Sequence, residues 1–391
     1  MVKPKILTPK PDAKPRINGA KVFGVRPNSP LFFKVCATGE KPLRYSAQNL
    51  PQNVSIDEKT GVLTGILTEP GNYLVRISVS NSKGIATREL RIVCGDAICL
   101  TPPMGWNSWY VYSLYGSQDK ILKMAQAMVD SDLINHGWTY INIDDCWQGR
   151  RDPQTRRLTP NDKFPDMKVL CDSIHALGLK AGIYSTPWVG SYAGYYGGSI
   201  RDETCSLQEL EVDITQRYEK NQVFGNAGNL RRRIRFFGSI NCDEIDAKQF
   251  AEWGFDYLKY DWNPNDVDHV TLMLNALKKS GRDIVYSLSN SAPYELADQW
   301  MKLANLWRTT GDIKDSWWSI SRIGFNQDKW AKFARPGHWN DPDMLQLGMT
   351  NTPHTENSDS RPFRLTPDEQ YTQMSLWCLL SAPLLLSCDL T

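Results

Sequence analysis

Two hydrophobic periods run along this chain, and one gives way to the other near residue 100. In the first part apolar and polar positions alternate singly, as in Leu31-Phe32-Phe33-Lys34-Val35 and Tyr73-Leu74-Val75-Arg76-Ile77-Ser78-Val79. That is the period of strands with one buried face. Turn-forming clusters separate the runs: Pro51-Gln52-Asn53, Lys59-Thr60-Gly61, Glu69-Pro70-Gly71-Asn72 and Asn81-Ser82-Lys83-Gly84. Short strands at such regular spacing predict a small all-β, Ig-like sandwich over residues 16–97. Nothing in it reads as a catalytic set. Residues 1–15, rich in Pro and Lys and poor in apolar positions, predict a disordered or extended leader.

After Leu100-Thr101-Pro102-Pro103 the period becomes helical. Ile121, Met124, Ala125, Met128 and Val129, for example, fall on one helix face. Four times such a stretch ends at glycine and runs into an apolar strand-like segment. Gly137 precedes Trp138–Ile143, Gly178 precedes Lys180–Tyr184, Gly254 precedes Phe255–Tyr260 and Gly281 precedes Asp283–Leu288. Glycine supplies the left-handed helix stop, and alternating helices and strands predict a parallel sheet. The β-segments end in polar residues: Asn107-Ser108-Trp109, Asp144-Asp145, Ser185, Asp261, Ser289, Asp312 and Asp343. Side chains at the ends of many strands converge only if the sheet closes. Residues 98–391 are therefore expected to form an α/β domain, a (β/α)8 TIM barrel, with its chemistry on the C-terminal face. No GxGxxG follows any strand, against a dinucleotide fold.

Composition narrows the function classes. A net charge of +2 gives no general attraction to nucleic acid, and the one basic cluster, Arg231-Arg232-Arg233 with Arg235, reads as a solvated loop face. No apolar run is long enough to span a membrane. The 14 Trp and 16 Tyr suit a carbohydrate partner as well as a large core. Nine cysteines without CxxC spacing, and His136, His175, His269, His338 and His354 without HxH or HExxH spacing, lead us to expect no metal site. Cys36 and Cys94 could bridge the two sheets of the sandwich or remain thiols. The opening Met1-Val2-Lys3-Pro4 carries no signal peptide and is read as a mature periplasmic or secreted chain restarted with Met.

Three sets of residues carry candidate chemistry. Lys259 and Asp261, two apart at the end of Tyr257-Leu258-Lys259-Tyr260-Asp261, point to one side of their strand. A cation there keeps a nucleophilic carboxylate ionised, although the pair could also be a structural ion pair. Asp312 lies beyond a strand, after the permissive Gly311. It could cap the helix containing Trp317 and Trp318, but Asp315 competes for that role. Asp144 and Asp145 repel one another unless sugar hydroxyls, backbone donors or a metal satisfy them, the metal being least favoured by the His and Cys pattern.

Four motifs, Met104-Gly105-Trp106-Asn107-Ser108-Trp109, Ile143-Asp144-Asp145-Cys146-Trp147, Leu258-Lys259-Tyr260-Asp261 and Trp339-Asn340-Asp341-Pro342-Asp343-Met344-Leu345, resemble glycoside hydrolase family 27. That family contains α-galactosidases and α-N-acetylgalactosaminidases, and the resemblance runs from about residue 100 to 391. It implies Asp261 as nucleophile and Asp312 as acid/base. Asp144 and Asp145 would bind the C4 and C6 hydroxyls, Lys259, Arg308 and Asp343 the remaining ones, and Trp109 and Tyr184 would line the pocket. Ser289, Ala292 and Met344 complete the implied substrate-binding set. The implied reaction is release of terminal α-linked galactose with retention, through a covalent glycosyl-enzyme and without a cofactor. An α-N-acetylgalactosaminidase, a β-L-arabinopyranosidase and a catalytically silent sugar-binding protein are the alternatives.

Four departures from the family pattern stand out. Asn263 occupies the position, two after the nucleophile, where the family often has a Cys paired with one in the loop of the third strand, so that bridge is absent, and Cys146 also lacks an obvious partner. Ser289 and Ala292 stand where α-galactosidases usually carry Glu and a bulkier residue, as in the N-acetylgalactosaminidase pattern. The segment from Gly198 to Asp243 exceeds the core of the fold and would overhang the active-site face or form an inert surface insertion. The chain stops soon after the expected eighth strand, without the usual final helix and C-terminal β-domain.

Overall fold

The computed structural model describes residues 7–201, 234–351 and 360–391. Most of the long segment after the third barrel strand, including Arg231-Arg232-Arg233, lies outside the described residues. The alternating N-terminal segments form two facing sheets. One orders Val22–Val25, Gly84–Cys94, Gly71–Asn81 and Arg44–Gln48, the other Pro30–Lys34, Val62–Ile66 and Val54–Ile56. In the strand Gly71–Asn81 the inward positions Val75, Ile77 and Val79 meet Leu31, Tyr45, Leu63, Leu90 and Ile92 in a separate core. Cys36 and Cys94 are both buried thiols, so no bridge joins the sheets.

The second part forms eight parallel strands: β1 (Met104–Asn107), β2 (Tyr140–Asn142), β3 (Lys180–Ser185), β4 (Tyr257–Asp261), β5 (Val285–Ser289), β6 (Leu306–Arg308), β7 (Trp339–Asp341) and β8 (Leu384–Leu386). Their spatial order is β7-β6-β5-β4-β3-β2-β1-β8. Closure comes just past β7, where Leu345 bridges Leu386 in parallel and its N–H donates to the Leu385 carbonyl at 2.8 Å. Between successive strands lie α1 (Gln118–Asp130), α2 (Met167–Ala176), α3 (Asp243–Trp253), α4 (Val267–Lys279), α5 (Ala297–Leu303), α6 (Trp317–Gly324) and α7 (Pro367–Leu379). The sequence places strands two to four residues away from some of these limits, because regular pairing starts only where the neighbouring strand comes alongside.

Local signals act as read. In α1, Ile121, Met124, Ala125 and Met128 are buried, while Val129 is half-buried. Gly254 caps α3 with φ of 102°, a conformation closed to most side chains. The N-cap of α6 is Ser316, whose side chain accepts from the Ser319 N–H, so neither Asp312 nor Asp315 caps that helix. Asp315 instead accepts from Arg361 and from the Arg364 N–H, at 3.0 and 2.7 Å.

The sandwich docks at the N-terminal ends of the barrel strands. Arg26 binds Asp283 through its N–H and guanidinium at 2.8 and 3.3 Å, and Phe32 packs on His175. Lys180, at the start of β3, lies over the rings of Phe23 and Tyr140. The C-terminal ends, where the polar residues gather, are on the opposite side.

Candidate active site

Asp261 ends β4 and is nearly inaccessible. Asn290 donates from Nδ2 to its Oδ1 at 2.9 Å. Burial pushes the Asp261 pKa up to about 7; Lys259 opposes that rise, whereas Asp312 and Asp144 reinforce it. Lys259, two residues earlier on the same strand, reaches sideways rather than to Asp261. Its Nζ donates to Asp144 Oδ2 at 2.8 Å and lies over the Tyr184 ring. Burial alone would lower the Lys259 pKa, but Asp144 and Asp261 carry it above the usual lysine value. The cation stays charged.

Asp144 and Asp145 follow β2, and the repulsion expected of adjacent carboxylates is met by donors on all sides. Asp144 Oδ2 accepts from Asn107 Nδ2 at 2.8 Å as well as from Lys259, and its Oδ1 accepts from the Asp145 N–H. Asp145 accepts from the N–H groups of Cys146 and Ala193 at 2.8 and 2.9 Å. Burial still raises its pKa. Trp109 begins the one-turn helix Trp109–Tyr112 and packs against Cys146, Ala193 and Tyr195. Tyr184, near the end of β3, is buried, and its hydroxyl faces Asp261, whose ionised form it favours.

A second set sits across the barrel mouth. Arg308 ends β6 and pairs with Asp343 at 2.7 Å and with Asp312 at 3.3 Å. Asp343 is buried at a φ of 82°, and its carboxylate accepts from the N–H groups of Ile313 and Met344 at 2.8 Å each. The two charges hold each other: burial raises the Asp343 pKa against the pull of Arg308. Asp312 differs from every other carboxylate here, since its side chain is 61% exposed. Ser289, at the end of β5, has a buried hydroxyl with no partner; Ala292, three residues on, and Met344, next to Asp343, are buried as well.

The predicted residues thus come from seven strand ends and gather at one end of the barrel. Asp261 is linked electrostatically to Asp144, Lys259 and Asp312, and Arg308 ties Asp312 to Asp343. Asn290 escaped the sequence reading, as did Asp341, a buried carboxyl raised to about 6 by burial whose Oδ1 accepts from the Asp343 N–H. Asn290 carries a signal of its own. It follows the polar end of β5 and adopts a φ of 69°, which asparagine tolerates best among residues with side chains. Asn263, in the place of the family's cysteine, donates to the Asn290 carbonyl at 2.7 Å. Cys146 is a buried thiol.

The buried charges define what the site can do. Asp144, Asp145, Asp261, Asp341 and Asp343 share only Lys259 and Arg308 as buried cations among the residues just described. Such an acceptor-rich cavity suits a ligand presenting many hydroxyl donors, and its excess negative charge favours positive charge developing on that ligand. Among the described residues no group of His, Cys, Asp and Glu has the arrangement of a metal site.

A family model described as α-galactosidase A matches residues 101–217 and 205–391, and an Ig-domain model matches residues 19–93. The chain is 36% identical to α-galactosidase 2 of Arabidopsis thaliana over 306 residues, covering 77% of this chain and 64% of that protein. It is also 36% identical to an α-galactosidase of Oryza sativa subsp. japonica, covering 74% of this chain and 58% of that protein. The chain therefore spans less than two thirds of the length of these curated relatives. A solved Bacteroides fragilis protein, described as a candidate α-galactosidase, superimposes with a TM-score of 0.80 at 30% identity, covering 98% of this chain and 76% of that one. The motifs at the strand ends, the closed barrel and these similarities together show that the chain belongs to the α-galactosidase A family, glycoside hydrolase family 27.

Proposed function

We propose that this protein is a retaining exo-glycosidase that releases terminal α-linked galactose from oligo- or polysaccharides by double displacement. The observation that carries the reading is the contrast between two linked carboxyls: Asp261, buried and held by Asn290, and Asp312, exposed at the mouth. The difference is one of access and support: leaving group and water can reach Asp312, while Lys259 and Asn290 oppose the effect of burial on Asp261.

Asp261 is the nucleophile. Its ionised form is kept available by Lys259 and the Asn290 amide, and it attacks the anomeric carbon to form a glycosyl-enzyme. Asp312 protonates the departing oxygen and then takes a proton from the incoming water. Its exposure gives both leaving group and water a route to it. Asp144, Asp145, Lys259, Arg308 and Asp343 bind the sugar hydroxyls, with Trp109, Tyr184 and Met344 lining the ring. Ser289 brings a buried hydroxyl without a partner, which a substrate oxygen would satisfy.

One observation favours a second reading. Ser289 and Ala292 are small, and small side chains beside the C2 position leave room for a 2-acetamido group, which would make the enzyme an α-N-acetylgalactosaminidase. The chain is organised as a leader over residues 1–15, a spacer or glycan-contacting sandwich over 16–97 and a catalytic barrel over 98–391. A periplasmic or secreted setting suits an oligomeric or polymeric substrate. It is compatible with buried thiols such as Cys36, whose pKa burial raises to about 11, because only the thiolate reacts readily. Among the described residues no helix is long and apolar enough to cross a membrane.

The test is release of 4-nitrophenol from its α-galactoside, α-N-acetylgalactosaminide and β-L-arabinopyranoside, beside an Asp261→Asn control. Cleavage of the galactoside, lost in the control, is the expected result. Faster cleavage of either other glycoside would transfer the specificity to that sugar, and no turnover of any would leave a sugar-binding protein.

A further inference from the structure

The loop after β6, helix α6 and the 3-10 helix Asp328–Phe333 enclose a cleft of about 640 Å³ that begins at Asp312 and runs outward. Its walls include Thr310, Trp318, Arg322, Asn326 and Lys329, and none of Asp144, Asp145, Lys259 or Asp261 takes part. Asp312 is thus the residue shared by the acceptor-rich pocket and this second cavity.

Trp318 is the unusual element of the cleft. It lies in the first turn of α6 and is 66% exposed, whereas most tryptophans of the barrel are buried. Packing of the barrel does not require an indole there. Arg322, one turn further on, lays its guanidinium over the ring at 5.0 Å and makes no side-chain ion pair or hydrogen bond among the described residues. The cation holds the ring in place, with its own donors unspent. An exposed, immobilised aromatic surface beside polar side chains suits a pyranose, whose axial C–H bonds stack on a ring while its hydroxyls bond to neighbours.

Geometry assigns the direction. A general acid protonates the glycosidic oxygen, so the leaving group must lie on the side of Asp312 away from the nucleophile. The cleft has Asp312 in its lining and none of Asp261, Lys259, Asp144 or Asp145, as a space on that side would. Resting on the glycosidase reading above, we infer that it is a leaving-group subsite for a further pyranose of an α-galactosyl oligosaccharide, with Trp318 as platform and Arg322, Asn326 and Lys329 as hydroxyl partners.

The experiment uses the full-length protein and two substrates. One is an α-galactosyl trisaccharide, whose leaving group reaches the cleft; the other is α-galactosyl fluoride, whose leaving group does not. The readout is the ratio of kcat/KM for the trisaccharide to kcat/KM for the fluoride. In Trp318→Ala this ratio is expected to fall about five- to ten-fold, the equivalent of one aromatic stacking contact. Trp318→Phe, which keeps an aromatic face, is expected to recover most of it. A ratio within about two-fold of wild type in Trp318→Ala overturns the subsite. Wild-type protein that turns over neither substrate overturns the galactosidase reading instead, and the subsite with it.

Discussion

Asn290→Gly isolates one contact to the nucleophile. The amide donates to Asp261 at 2.9 Å, and glycine accepts the φ of 69° at this position without strain, so little else changes in the backbone. A hydrogen bond to a charged acceptor is worth about 1.5–3 kcal/mol net, and 1.36 kcal/mol corresponds to one pKa unit. The donor favours the ionised form, so its removal raises the Asp261 pKa from about 7 by about one to two. At neutral pH the ionised fraction falls from about half to between about one tenth and one hundredth, and kcat/KM falls about five- to fifty-fold. The assay is kcat/KM for 4-nitrophenyl α-galactoside against pH, in which the acid limb reports the free enzyme. That limb is expected to move to higher pH by the same amount. A limb that stays in place, or moves to lower pH, would refute the assignment of Asn290 as the residue that positions and tunes Asp261.

Three further outcomes follow from the same geometry. Asp261→Asn should abolish turnover yet stabilise the fold at alkaline pH. The folded-state pKa is raised, so stability is lost as the pH rises from the unfolded-state value of 3.8 to about 7, by about 4 kcal/mol at most. The variant's advantage in Tm should be largest near pH 8 and fade as the pH falls toward 4; a wild type more stable at pH 8 would contradict it. Asp312→Asn should cost about 10²- to 10⁴-fold in kcat on an oligosaccharide and far less on α-galactosyl fluoride, whose departure needs little proton assistance. An equal loss on both would remove Asp312 from the acid role. Arg151 and Asp246, both inaccessible and paired at 2.7 and 2.9 Å, join the segment after β2 to α3. Arg151→Met leaves a buried carboxylate uncompensated and should destabilise by about 3–5 kcal/mol in urea unfolding; a change below about 1 kcal/mol would show that Asp246 finds other partners.

The hydrophobic periods and the helix stops were legible along the chain because they depend on residues within a turn or a pleat of one another. Ile121, Met124, Ala125 and Met128 declare a buried helix face, and Gly254 declares an end, whatever lies elsewhere. The series of polar residues closing successive strands pointed to a barrel with its chemistry at one end, because only closure brings so many strand ends together. Competition between neighbours was harder to read. Asp312, Asp315 and Ser316 all suit an N-cap, and the helix uses Ser316 because Asp315 is engaged by Arg361 and the Arg364 N–H.

What the sequence by itself determined was the set of elements, their order and most of the residue types offered to the site. The tertiary structure decided the partnerships. Lys259 binds Asp144, 115 positions away, rather than its strand neighbour Asp261, and Asn290 supports the nucleophile's surroundings. The closing contact of the barrel joins Leu345 to Leu386. It also decided that Asp261 is buried and Asp312 exposed, which leaves solvent and a leaving group access to Asp312. Periods and caps are short-range properties carried by consecutive residues, whereas burial and charge pairing depend on which distant strand ends the closed sheet brings together.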